Sequence, residues 1–134
     1  MNRTLGIDYG DTRIGIAVSD PLKIISKPLR TVKNNDNFLT ELQNIIKEKN
    51  VDAIVVGYPI GMKGQVTKQT AKVDSFIELL AENINIKILK VDERLSSVSA
   101  SKSLILQGIK TGHNKELIDD TSAAIILQEF LDRK

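Results

Sequence analysis

No cysteine occurs in this chain of 134 residues. Disulfides and thiolate metal sites are therefore excluded, which leaves carboxylates and the single histidine, His113, as the side chains able to hold a metal. Tryptophan is also absent and aromatic residues make up 4% of the chain, too few for a platform on which single-stranded bases stack. No stretch reaches the roughly 18 consecutive apolar residues of a membrane span, and the N-terminus lacks a basic segment leading into an apolar signal core. A cytoplasmic protein with no membrane partner is expected. Nor is there an excess of either charge: 19 Lys and Arg against 17 Asp and Glu leave a net charge of +2, too little by itself to argue for a polyanionic partner. A single domain, 1–134, is expected, since a chain of this length buries roughly two-thirds of its unfolded surface in one core.

What is present begins with LGIDYGDTRIGIAVSD, Leu5 to Asp20. Asp8 ends a short apolar strand, Gly10-Asp11 makes a tight turn, and Ile14, Ile16 and Val18 then alternate with Gly15, Ala17 and Ser19. That pattern is a β-hairpin carrying a carboxylate. A third strand, Ile24 to Val32, has Pro21 and Pro28 inside or beside it, so it belongs at a sheet edge or carries an irregularity.

Asn34, Asn35 and Asp36 supply capping groups for a helix in which Phe38, Leu39, Leu42, Ile45 and Ile46 recur at helical spacing as far as Lys49. Val51 to Gly57 is a short run rich in β-branched residues, suited to a strand buried on both faces. The loop Tyr58 to Gln65 follows, then a helix with Val66, Thr70, Val73, Ile77 and Leu80 on one stripe, then a buried strand from Ile86 to Val91. Ser96 or Ser97 caps a further helix through Ala100, Leu104 and Ile105, closed by Gly108. A polar linker, Ile109 to Glu116, precedes a last helix from about Asp119 to Asp132 that is apolar almost all round and therefore buried.

Three hairpin-linked strands followed by helix-linked strands predict an α/β fold: a mixed five-stranded sheet, three antiparallel strands then two parallel, flanked by α-helices. Ligands gather at the carboxyl ends of parallel strands in such sheets. Asp8 closes the first strand and Glu93 lies just past the fifth; Asp119 or Asp120 supplies a third acid from the start of the last helix. Converging carboxylates repel unless a divalent cation neutralises them, and a hard cation suits an all-oxygen set. That combination points to metal-dependent hydrolysis of a phosphodiester. Each acid also has a plainer role in isolation, as turn chemistry for Asp8, an ion pair for Glu93 with Arg94, and a helix cap for Asp119-Asp120.

In order and at similar spacing, LGIDYGDTRIGIAVSD, VVGYPIGMKG, VDERLSS and IDDTSAAIILQEFL resemble the motifs of the bacterial YqgF family, also called RuvX. The resemblance implies an RNase H-like fold and a nuclease whose acids are Asp8, Glu93 and Asp119, serving both catalysis and the coordination of Mg2+ or Mn2+. Asp120 is extra, which leaves an exchange of roles with Asp119 open. Ser122 stands where alanine is common and Ser96-Ser97 where threonines are common, and neither departure removes a metal ligand. The substrate implied is nucleic acid: precursor 16S rRNA during ribosome biogenesis, with branched DNA at Holliday junctions as the alternative. Lys63, Arg94, Lys110 and His113 are candidate contacts to its backbone, and either a monomer or a homodimer fits.

Overall fold

The computed structural model describes residues 2–61, 63–92 and 115–133, with the backbone alone for 115–121. Five strands form one sheet in the order β3-β2-β1-β4-β5. They are β1 Arg3–Asp8, β2 Arg13–Ser19, β3 Ser26–Lys33, β4 Val51–Tyr58 and β5 Lys87–Asp92. The first three are antiparallel neighbours, whereas β4 adds parallel to β1 and β5 parallel to β4. This is the mixed sheet expected from the sequence, with three helices among the described residues: α1 Phe38–Lys49, α2 Lys68–Asn83 and α3 Lys115–Asp132. The helix expected after Ser96 lies outside the described residues.

Strand alternation divides the interior in two. Leu5, Ile7, Ile14, Ile16, Val32, Ile54 and Val56 point to one face, where they pack with Phe38, Leu42 and Ile45 of α1 and Val73, Phe76 and Leu80 of α2. Ala17, Val55 and Val91 point to the other and meet Ala123, Ile126, Leu127 and Leu131 of α3. Thr4, Gly6 and Asp8 share that second face by the same alternation.

The proline reading of β3 holds twice over. This strand is the sheet edge, and its register slips where Ile16 pairs with Arg30 but Ala17 pairs with Pro28. Two helix boundaries differ from the expected ones. Val66 fits the apolar stripe of α2 yet lies outside that helix, 69% exposed, because a Thr67–Thr70 capping box sets the start one residue beyond Thr67. The last helix begins at Lys115, so the end of the expected linker is helical. At α1 the capping position is Asn37, one residue past the expected Asn34-Asn35-Asp36, and it makes no side-chain cap; of the expected residues, Asn35 Oδ1 accepts the Asn37 N–H at 3.0 Å ahead of the first turn. That helix closes on Asn50 in the left-handed region (φ 54°), which delivers the chain straight into β4.

Candidate active site at the carboxyl edge of the sheet

The carboxyl ends of β1, β4 and β5 lie side by side. Ile7 pairs with Val56, and Tyr58 pairs with Asp92, so Asp8, Tyr58 and Asp92 terminate three adjacent parallel strands at one edge. Asp8 is half-buried on the α3 face. Asp92 has the opposite parity from Val91 and so falls on the α1/α2 face, which separates it from Asp8 although both end strands at the same edge.

The direction of α3 follows from its contacts with β3. Ser26 Oγ donates to the Ala124 carbonyl at 2.6 Å, and the Ser26 N–H donates to Gln128 Oε1 at 2.9 Å. Ser26 pairs with Ser19, whose hydroxyl accepts the Thr4 N–H at 2.9 Å. Residues 124 and 128 therefore stand near the start of β1; Gln128 Nε2 also donates to the Ile24 carbonyl at 2.9 Å, farther from the Asp8 edge than Ser26, so the chain before Ala124 leads toward that edge. Gly6 makes the closest approach: a Cβ there would lie 2.7 Å from Leu127 Cβ and 2.8 Å from the Ala123 carbonyl oxygen. From Ala123 back to position 119 is about 6 Å along the helix, and from Gly6 on to Asp8 is about 6.6 Å along the strand. The backbone of Asp119 and Asp120 is thus carried to the edge where Asp8 ends β1.

Tyr58 anchors the same edge from the other face. Its hydroxyl donates to Asp74 Oδ2 at 3.0 Å, and the Lys90 ammonium sits 3.7 Å from Asp74 Oδ1 and 4.5 Å from the Tyr58 ring centroid. The hydrogen bond to Asp74, with desolvation behind it, holds the phenol above its ordinary pKa, so Tyr58 remains a neutral donor tying β4 to α2. The loop leaving Tyr58 turns on Gly64 at φ 84°, and Gln65 braces it by accepting the Lys63 N–H on Oε1 and the Gly61 N–H on its carbonyl, each at 2.9 Å. Lys63 is exposed on this loop, which leaves the sheet at the Asp8 edge.

Of the acids expected from the sequence, the structure locates Asp8 with its side chain and Asp119 and Asp120 by backbone. Glu93 lies outside the described residues, as do Arg94, Lys110 and His113. No cluster of three ligating side chains occurs among the described residues. Asp8 itself offers hard oxygen donors with no cysteine in the chain to compete, a chemistry that fits Mg2+ or Mn2+.

Sequence reading passed over two cations. Arg13 and Lys33 are opposite partners in the β2–β3 register, on the same face as Asp8 and nearer the edge. Arg13 lies two residues from Gly15 and Lys33 two from Thr31, a signal that needed the strand register to become useful.

Solved structures define the class. Over 99% of this chain and 95% of the other, the fold matches Thermus thermophilus RuvC, solved with a Holliday junction substrate, at a TM-score of 0.60 and 14% identity. The Fowlpox virus Holliday junction resolvase matches at 0.57 with 12% identity, over 98% and 99% of the two chains. The protein has the RNase H-like fold of these resolvases.

Sequence comparison carries the assignment further. The family model described as "RuvX: Holliday junction resolvase" matches residues 2–133. A relative from Amoebophilus asiaticus is 47% identical and one from Ruminiclostridium cellulolyticum 42%, each over 98% of this chain and 94% of the relative. Both are named "Putative pre-16S rRNA nuclease". This chain belongs to the RuvX (YqgF) family.

Proposed function

We propose that this protein is a cytoplasmic, divalent-metal-dependent nuclease that processes the 5′ end of precursor 16S rRNA, working as one domain over 1–134. The observation that carries this reading is the position of Asp8, a half-buried carboxylate at the end of the central strand, on the face and at the edge to which α3 brings the backbone of Asp119. Family membership and the names borne by the relatives support the choice of a nuclease and of RNA.

Asp8, Glu93 and Asp119 would hold Mg2+ or Mn2+, with Asp120 able to exchange with Asp119. Bound there, such an ion supplies Lewis-acid activation of water and charge stabilisation of the leaving oxygen. The chain's own part is to fix the carboxylates. Asp8 is held by pairing with Gly15 on β2 and by the parallel ladder to β4. The helix backbone carrying Asp119 is held against β1 through the close approach at Gly6. Lys63, Arg94, Lys110 and His113 would contact the nucleic-acid backbone.

Cleavage of branched DNA uses the same chemistry and is the second reading, favoured by the description of the family and by the resolvase fold. A monomer suffices for an RNA end, whereas a symmetric junction calls for a homodimer. Side-by-side incubation with precursor 16S RNA and a four-way DNA junction separates the two readings. Selective cleavage of the RNA is expected; selective cleavage of the junction would replace the first reading by the second.

A further inference from the structure

A cavity of about 270 Å³ opens beside the Asp8 edge, lined by Thr12, Arg13, Thr31, Lys33, Asn34 and Asn35. The register gives its place relative to Asp8. Asp8 pairs with Gly15, and Gly15 pairs with Thr31, so these residues form one row across β1, β2 and β3 with all three on the α3 face. Glycine at the middle of the row leaves no side chain between the carboxylate and Thr31. One step nearer the edge, Arg13 and Lys33 form the next row on that face.

Both cations line this cavity, and a phosphodiester matches both the fork of arginine and the point charge of lysine. From Asp8 the strand spacing and rise put the Arg13 backbone about 8 Å away and the Lys33 backbone about 12 Å away. A strand cut at Asp8 would therefore bring a neighbouring phosphate into this cavity. The pocket wall is stiff: Asn34 Nδ2 donates to the Gly10 carbonyl and the Asn34 N–H to the Thr12 carbonyl, both at 2.9 Å, which pins the end of β3 to the hairpin turn. Thr12 and Thr31 add hydroxyls beside the cations.

We propose that Arg13 and Lys33 form a phosphate subsite that seats the substrate strand on the β3 side of Asp8, at a nucleotide next to the scissile bond. This rests on the reading of the Asp8 edge as a nuclease centre acting on RNA. Phosphate recognition itself is common to RNA and DNA.

The test measures binding without cleavage, by fluorescence anisotropy of a labelled precursor 16S fragment and of DNA of the same sequence, with full-length protein carrying Asp8→Asn. Lys33 is exposed, so Lys33→Gln should leave folding intact. Added to that background it should weaken RNA binding roughly tenfold. The slope of log affinity against log salt should also fall by about 0.7, the value for one phosphate contact on a single strand. Lys33→Arg should restore both, and Lys87→Gln, which removes an exposed cation at the opposite end of the sheet, should change neither. RNA binding that responds no more to Lys33→Gln than to Lys87→Gln would overturn the subsite and leave the nuclease reading standing. Binding of DNA but not of RNA by the Asp8→Asn protein would overturn the RNA reading while leaving the subsite to be judged on its DNA arm by the same variants.

Discussion

Replacing Gly6 by alanine probes the contact that holds α3 against the central strand. In an unobstructed strand this change stabilises by about 0.5–1 kcal/mol, because glycine loses the most conformational freedom on folding. Here the new Cβ would stand 2.7 Å from Leu127 Cβ and 2.8 Å from the Ala123 carbonyl oxygen, against an ordinary carbon contact of about 3.5–4.0 Å. Neither neighbour can rotate away, since one is a Cβ and the other is helix backbone. The helix must therefore shift by about 1 Å, at the cost of about 1–3 kcal/mol typical of overpacking. The steric term wins, for a net loss of about 1–2 kcal/mol. With an unfolding entropy of about 2.1 cal/mol/K per residue, a chain of 134 residues should lose about 4–7 °C in Tm. A displacement of that size at the base of α3 should also slow cleavage by about a hundredfold well below the melting transition. Differential scanning calorimetry with a single-turnover cleavage assay reads both effects. A Tm equal to or above that of the parent protein would refute the close packing of β1 on α3.

Ser122 Oγ is buried with no hydrogen-bond partner among the described residues, so Ser122→Ala removes an unsatisfied hydroxyl and should raise stability by about 1 kcal/mol in urea denaturation. A loss of stability would mean that the hydroxyl has a partner. Acid titration tests a second corner of the molecule. N–H groups of Ile25 and Ile24 hold the Asp20 carboxyl below its usual 3.8, and the Lys23 ammonium at 2.9 Å does the same for Asp52. Because both folded pKa values are depressed, their stabilisation is complete above the unfolded value of 3.8 and fades as pH falls through the folded values. The double variant Asp20→Asn, Asp52→Asn should therefore lose Tm less steeply than the parent between about pH 4.5 and 2.5. Parallel acid limbs would contradict this.

Much of the fold was legible where local pattern and burial agree. Alternation of Ile14, Ile16 and Val18 gave the inner face of β2, and Pro28 marked β3 as the edge strand. The unbroken apolar run of β4 reads as buried on both faces because it is the one strand between two parallel neighbours. Val66 shows why helix starts were harder: it satisfies the period, yet the threonine cap, not the period, decides where the backbone turns helical. The placement of α3 was less legible still, since a helix apolar on nearly every side announces no face. Among the described residues, the space left by Gly6 and the polar clamp from Ser26 to Ala124 and Gln128 orient it. Asp8 stood out as the carboxylate ending an apolar strand, but the Arg13–Lys33 row could not, because it exists only in the register of two strands.

Asp8 as a catalytic carboxylate is tested most directly by single-turnover cleavage of precursor 16S RNA with Mg2+, comparing the parent protein with Asp8→Asn. Loss of a metal-holding carboxylate at the reacting phosphate should slow cleavage by about a thousandfold or more, with Tm and RNA affinity kept, and EDTA should abolish the parent activity. Cleavage by Asp8→Asn at the parent rate would contradict the assignment of this edge as the active site.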